Sequence, residues 1–350
     1  MAKANLAADF FKHQAQTTPH PLAMVVSHAE GSYIFDEDGN AHLDFVAGVS
    51  ACSLGHKHPS VINAVKEQLD KYLHVMVYGE YVQDGAIKLA RRVTGRTGII
   101  YADKAYHGNT YGALSVMGNK ERKQPFAPLL PDCHAITFNS EEDLDKINSN
   151  TAAVILETIQ GAAEGALLIL DEIQPGFGRT GKLFGFEHYQ VIPDILVMGK
   201  GMGGGLPIGA FTASYVHMSL LKDNPKLGHI TTFGGNPVIA AAALATLIEI
   251  TQSDLMREAL RKEQLFRALL IHPLIKEIRG KGLMLAIMVE NASIANEIIL
   301  GCKEAGLILF WLLFESCAIR ITPPLTISEE EIRKGCAIIA AVMDKVSEKT

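Results

Sequence analysis

Four short apolar runs lie in the middle of the chain: Ala152 to Leu156, Ala166 to Leu170, Ile195 to Met198 and Ile208 to Thr212. They do not alternate polar with apolar residues, and Gly- and Pro-bearing connections separate them. A strand can be apolar on both faces only where both faces are covered, the condition of a mostly parallel sheet flanked by helices. The expected class is therefore α/β. From Pro237 to about Ile250 an Ala-rich run predicts a helix, and beyond it come charged amphipathic helices with a short strand pair, Gly282 to Val289 and Ala318 to Ile321. A final helix opens on a capping box, Ser328 with Glu331, and buries Ile332, Cys336, Ile339 and Met343. Upstream, Ser32 to Phe35 and His42 to Phe45 flank an acidic Gly-containing turn and predict the hairpin of a peripheral arm. The periodicity after Pro59 predicts an amphipathic helix to about Leu73. These patterns divide the chain into an arm (1–50) contributing to a small domain, a large domain (51–250) and a small α+β C-terminal domain (251–350).

Composition narrows the function. The 350 residues are 48% hydrophobic, and 32 Lys+Arg against 38 Asp+Glu give a net charge of -6 with no basic cluster to follow a phosphate backbone, so nucleic acid is not an expected partner. No apolar stretch is long enough to cross a bilayer, and the opening MAKANLAADFFKHQ lacks the apolar core of a signal peptide, so no membrane association and a cytoplasmic setting are expected. Five scattered cysteines form no C-x-x-C pair, and His56 and His58 have no third ligand at metal-like spacing, so neither disulfides nor a metal are expected.

Three Gly-rich stretches compete for the chemistry. Gly176-Phe-Gly-Arg-Thr-Gly-Lys182 fits a phosphate-binding P-loop until Leu183 falls where a metal-binding hydroxyl is required. Gly199-Lys-Gly-Met-Gly-Gly204 is formally a dinucleotide fingerprint, but Gly205 and Pro207 follow where a helix is needed. The third reading joins both stretches through charge. Asp171 ends one buried run and Lys200 ends the next, which places both at the carboxyl ends of strands, where open α/β sheets bind ligands. The glycines after Lys200 would let the backbone approach a flat ligand. A half-buried lysine tends to lose its proton and become a nucleophile. Such a pair suits pyridoxal phosphate, the lysine forming the Schiff base and the carboxylate pairing with the pyridine nitrogen; a plain Asp–Lys ion pair fits the spacing equally well.

The segments Leu170-Asp-Glu-Ile-Gln-Pro-Gly-Phe-Gly-Arg-Thr-Gly-Lys182, Met198-Gly-Lys-Gly-Met-Gly-Gly-Gly-Leu-Pro-Ile-Gly209 and Thr231-Thr-Phe-Gly-Gly-Asn-Pro237 closely resemble class III pyridoxal-phosphate aminotransferases, the ornithine, acetylornithine and 4-aminobutyrate group. The likeness runs from Phe35-Asp-Glu-Asp-Gly-Asn40 and Leu54-Gly-His-Lys-His-Pro59 to Arg320-Ile-Thr-Pro-Pro-Leu325. It implies fold type I, with a large domain built on a seven-stranded-type, mostly parallel sheet. It also implies pyridoxal 5'-phosphate as cofactor, a small-molecule amino donor and a 2-oxo acid such as 2-oxoglutarate as partners, and a homodimer with shared active sites.

Carried over residue by residue, the resemblance makes Lys200 the Schiff-base lysine and proton carrier, and Asp171 the partner of the pyridinium. Gln174 would bond the ring hydroxyl, Tyr106 would stack on the ring, and His107 beside it belongs to the cofactor contacts. Thr232 would reach the phosphate of the neighbouring subunit, and Arg320 would take a substrate carboxylate, with Asn109 and Thr231 on the substrate side. Arg179 and Lys182 read as loop-stabilising or interface residues, and Glu157 and Gln160 as neighbours of the cofactor without a chemical step.

The chain also departs from the family. Asn109 replaces an arginine, and Ala162 replaces the glutamate that would mask Arg320. The Ser-Gly-Thr/Ala-Glu-Ala phosphate grip is missing before the helix at Gly85 to Arg92, and Gly161-Ala-Ala-Glu-Gly165 is too short for the usual helical crossover. Deleting a strand or helix from a sheet leaves unsatisfied edges, so the reading favours two further mobile segments and an intact mass well above 37.9 kDa. Alternatives on the same scaffold are a racemase, aminomutase or decarboxylase, or a cofactor-poor homodimeric binding protein.

Overall fold

The acidic turn forms as expected. β1 (Val26–Glu30), β2 (Tyr33–Asp36) and β3 (Ala41–Asp44) make an antiparallel meander, and the Asp36 carboxylate ties its turn by accepting from the backbone N–H of Asp38 and Asn40. In this computed structural model the described residues are 6–13, 22, 24–74, 82–157, 165–222, 225, 229–312 and 314–348.

The central sheet follows from the apolar runs. β4 (Gly98–Ala102), β5 (Cys133–Ile136), β6 (Thr151–Leu156), β7 (Leu167–Asp171), β8 (Ile195–Gly199) and β9 (Gly209–Ala213) lie in the order β5-β4-β6-β7-β8-β9. All neighbours are parallel except β9, which runs antiparallel to β8 at the edge. Alternate residues feed opposite faces: Ile99, Tyr101, Ile155, Ile169 and Val197 pack with Ala86, Ile87, Leu89 and Ala90 of the helix Val82–Thr94. Ile100, Val154, Leu156, Leu168 and Leu170 pack on the other side with Ala105 and Ile147. The seventh strand of the expectation has no counterpart among the described residues. β6 and β7 are adjacent and parallel, and the crossover between them, 158–164, lies outside the described residues.

The last third adds β10 (Glu277–Lys281), β11 (Met284–Met288), β12 (Leu307–Ile308), β13 (Phe310–Trp311) and β14 (Ala318–Ile321), with the second sheet ordered β10-β11-β14-β13. The predicted pair is thus β11 against β14, antiparallel. β12 instead joins β3 in parallel, Leu307 opposite Leu43. The arm is therefore not peripheral: Leu43 and Phe45 are fully buried in one core with Phe266, Leu285, Ile319 and Ile339. The final helix, Glu329–Ser347, carries its capping box, with Ser328 Oγ accepting from Glu331 N at 3.1 Å and Glu331 Oε2 accepting from Ser328 N at 2.7 Å. The helix from Pro59 ends at Leu69 rather than Leu73, and Pro237–Gln252 forms with Asn236 as its N-cap. No single described helix is long and apolar enough to cross a membrane.

Asp44, at the end of β3, is fully buried and holds the turn that follows: Oδ1 accepts from Val46 N and Ala47 N, and Oδ2 lies 2.8 Å from His56 Nε2. Hydrogen bonding to Asp44 lifts His56 from its usual 6.5 to about 9. A folded-state value above the unfolded one stabilises fully below about 6.5, and the gain is lost as pH rises through about 9. The melting-temperature difference between the wild type and His56→Gln is expected to be largest near pH 6 and to shrink by pH 9.5, read by thermal denaturation across that range.

Candidate active site

Two adjacent parallel strands set the site. β7 ends at Asp171 and β8 at Gly199, with Asp171 opposite Val197 in register, so Asp171 and Lys200 leave the sheet at the same edge. Asp171 is 5% exposed; its Oδ1 accepts from Ile173 N at 3.1 Å, and its Oδ2 lies 2.8 Å from His107 Nδ1. That contact fixes the imidazole proton on Nδ1 and leaves Nε2 buried with no hydrogen-bond partner. Lys200 has φ of 40°, in the left-handed region that costs a non-glycine residue about 1–3 kcal/mol. Its Nζ donates to Gln174 Oε1 at 3.4 Å. Loss of water on burial pushes the Lys200 ammonium below its ordinary range, and the positive charge of Arg320 pushes the same way against Asp171 and Glu157.

The glycines after Lys200 also seat the turn on the protein itself. A Cβ at Gly201 would stand 2.5 Å from Ser53 Oγ, and one at Gly204 would stand 2.5 Å from Thr246 Oγ1 and 2.9 Å from Val61. These positions let the lysine turn seat on the protein itself, against the helices Pro59–Leu69 and Pro237–Gln252, which holds the strained Lys200 backbone in place.

Tyr106 and His107 arrive from the loop after β4. Tyr106 N donates to Glu157 Oε1 at 2.7 Å, and its ring meets Phe314 at 5.5 Å between centroids. Glu157 stands at the exit of β6; crowding by protein raises its carboxyl above the usual range, while His107 pulls it down. Arg320 lies on β14, opposite Ala286 of β11 and Phe310 of β13, and is 7% exposed. Its Nε is buried without a partner, no carboxylate pairs with it among the described residues, and burial lowers its guanidinium from the ordinary value. Electrostatics thus bring Lys200, Asp171, Glu157, His107 and Arg320 together. Asn109 and Thr232 are exposed and Thr231 is half-buried, and no described contact joins any of the three to Lys200. Gln160 and Ala162 lie outside the described residues.

Three contacts had no sequence signal of their own. His107 was legible only as a neighbour of Tyr106, yet it is the partner of Asp171. Glu172, fully buried, accepts from Gly185 N and Phe186 N and closes the loop after β7. Arg179 is fully buried rather than at an interface: Nη1 donates to the carbonyls of Leu283 and Pro323, and Nη2 donates to Ser53 Oγ. The P-loop reading fails here, because this stretch is a run of turns whose charged residue serves the fold.

The class-III aminotransferase family model matches residues 14–84, 76–164 and 162–343. An acetylornithine aminotransferase from Caldanaerobacter subterraneus is 35% identical over an alignment 385 positions long, covering 93% of this chain and 96% of the relative. A [LysW]-aminoadipate semialdehyde/glutamate semialdehyde transaminase from Sulfolobus acidocaldarius is 32% identical over 93% of this chain and 96% of its own length. Among solved structures, an ornithine aminotransferase from Toxoplasma gondii superposes with a TM-score of 0.88 at 29% identity, covering 99% of this chain and 96% of that one. Another structure of that enzyme reports partial occupancy of PLP at the active site.

A mixed α/β fold with these neighbours is that of the fold-type-I pyridoxal-phosphate enzymes. The chain belongs to the class III aminotransferase family, and it is a pyridoxal-phosphate-dependent transaminase. The residues present suit the ring of that cofactor: a buried carboxylate, a desolvated amine, an aromatic side chain and an orphaned imidazole nitrogen. The family match divides within 76–84 and 162–164, the two places where the sequence lacks family segments.

Arg179→Lys keeps a charge but cannot span two carbonyls with one planar fork. It is expected to lower unfolding free energy by about 1.5–3 kcal/mol, the worth of hydrogen bonds to a charged group, measured by chemical denaturation.

Proposed function

We propose that the protein moves an amino group from an amino acid or ω-amino compound of the ornithine, acetylornithine or 4-aminobutyrate kind to a 2-oxo acid such as 2-oxoglutarate. The observation that carries this is a desolvated Lys200 amine beside Asp171, electrostatically coupled to Arg320, whose guanidinium has no carboxylate partner. Relatives named acetylornithine aminotransferase, at 34–36% identity, support this substrate class.

Pyridoxal 5'-phosphate, when bound, supplies the electron sink that makes a substrate carbon acidic. The chain's residues do the rest. Lys200 would hold the cofactor aldehyde and then, as a free amine favoured by burial, carry the proton between the substrate carbon and the cofactor C4′. Asp171, oriented by His107, would pair with the ring nitrogen, Gln174 with the ring hydroxyl, and Tyr106 would cover one ring face. Arg320 would receive a substrate carboxylate through its two-pronged fork, with Asn109 and Thr231 beside it. Thr232 would serve the phosphate of a partner copy, in a cytoplasmic homodimer built from the arm, large domain and small domain. Exposure of Thr232 and Phe233 and five free cysteines among the described residues support that setting.

Mixing the purified protein with pyridoxal phosphate is expected to give a visible absorption band that bleaches on adding an amino donor, and Lys200→Ala is expected to abolish it. A band that survives the substitution removes Lys200 from this role. In a donor panel with 2-oxoglutarate or pyruvate as acceptor, Arg320→Gln is expected to raise KM for carboxylate substrates tenfold or more, about the loss of one charge-assisted contact. Unchanged KM values would dismiss the carboxylate assignment.

A further inference from the structure

One buried cation takes no part in the reaction. Lys262 lies on the helix Leu255–Leu269 and is 6% exposed. A buried ammonium costs free energy unless it is paired. Lys262 Nζ donates to the Leu325 carbonyl at 2.6 Å and meets no carboxylate at ion-pair distance among the described residues. The fully buried Arg179 is placed in the same way, with Nη1 donating to the Pro323 carbonyl. Two buried cations are thus directed at two carbonyls of one short segment.

That segment follows Arg320. β14 ends at Ile321, and Pro323 and Pro324 have no N–H with which to continue a ladder. Residues 322–325 are nonetheless buried, so their carbonyls need donors that a sheet would otherwise supply. Arg179 and Lys262 supply them at Pro323 and Leu325. The segment is further bonded to the chain on either side of the turn that Asp44 holds. Thr322 N donates to Phe45 O at 2.7 Å and Thr322 Oγ1 to Val46 O at 3.0 Å; Leu325 N donates to Ser53 O at 2.7 Å and Thr326 Oγ1 to Leu54 O at 3.2 Å. Arg320 is the last residue but one of β14, so the path of 322–325 constrains the backbone that carries its guanidinium.

We propose that Lys262 is a positioning residue for the substrate-carboxylate site: by holding the Leu325 carbonyl it fixes, together with Arg179, the path of 322–325 and thereby the guanidinium of Arg320. This rests on the reading of Arg320 as the receiver of a substrate carboxylate. A two-pronged contact depends on orientation, so a displaced strand end weakens carboxylate binding. The amine at Lys200 is seated separately, by the packing of Gly204 against Val61 and Thr246, and keeps its place. Lys262 acts through the loop and moves no proton.

The test uses the full chain loaded with pyridoxal phosphate and the best acceptor from the 2-oxo acid panel. Lys262→Met keeps an apolar stem and removes the donor. It is expected to raise KM for the acceptor about fivefold, while kcat and the midpoint of the cofactor titration, read from the visible absorption band, change less than about twofold. Lys262→Arg restores a donor and is expected to return KM toward the wild-type value. In an Arg320→Gln background Lys262→Met is expected to add nothing to KM, because the contact it positions is already gone. Thr322→Val keeps the side-chain shape but loses the hydroxyl bonded to Val46 O; it is expected to shift KM the same way and serves if Lys262→Met does not fold. A folded Lys262→Met or Thr322→Val protein with wild-type KM, or an equal rise in KM on both backgrounds, overturns the proposal. Arg320→Gln alone separates the two levels. If it leaves KM unchanged, the carboxylate reading itself fails; if it raises KM while Lys262→Met and Thr322→Val do not, only the positioning role fails.

Discussion

A carboxylate enclosed at the end of a buried strand must be given partners, and the Asp171–His107 contact meets that need for the whole site. An unpaired ion in such surroundings costs several kcal/mol or gives up its charge. His107 occupies one oxygen and the backbone of Ile173 the other, so Asp171 is built as a fixed acceptor before any ligand arrives. Its setting depends on β7 and β8 being parallel neighbours, since only then do Asp171 and Lys200 emerge on one edge. Parallel pairing in turn depends on apolar runs that tolerate burial on both faces.

Backbone strain at Lys200 is the other side of the same arrangement. A lysine with positive φ persists only where its surroundings leave no alternative. The glycines after it supply that restraint by letting the turn press against Ser53, Val61 and Thr246. Rigidity at the amine thus comes from packing on two helices far away in sequence, while Arg179 binds the Pro323 and Leu283 carbonyls and so ties the loop after β7 to the strand that carries Arg320.

Much of this was legible in the sequence, for physical reasons that can be named. The runs ending at Asp171 and Lys200 carry the strand signal and the charge signal together, and Ser328 with Glu331 marks a helix start by chemistry that is wholly local. The family motifs placed Gln174, Tyr106 and Arg320 near the same centre. Tertiary partners were not legible: nothing near His107 says that it faces Asp171, and nothing near Arg179 says that its acceptors are carbonyls more than a hundred residues away. The arm misled for a related reason, since a hairpin looks peripheral until the strand that covers it is known. The packing role of the glycine run was hidden because close approach to a ligand and close approach to a neighbouring helix require the same residue.

The pairing of β3 with β12 bears on how the molecule is made. Leu43 and Asp44 leave the ribosome long before their partners Leu307 and Ile308 are synthesised. Loop closure over such a separation is costly, and contacts of this kind form late. During synthesis the apolar side chains of Leu43 and Phe45 lack their cover, and the arm is a natural client for chaperones until the last third emerges. β12 therefore acts as a seal, covering β3 only once the later segment has been translated.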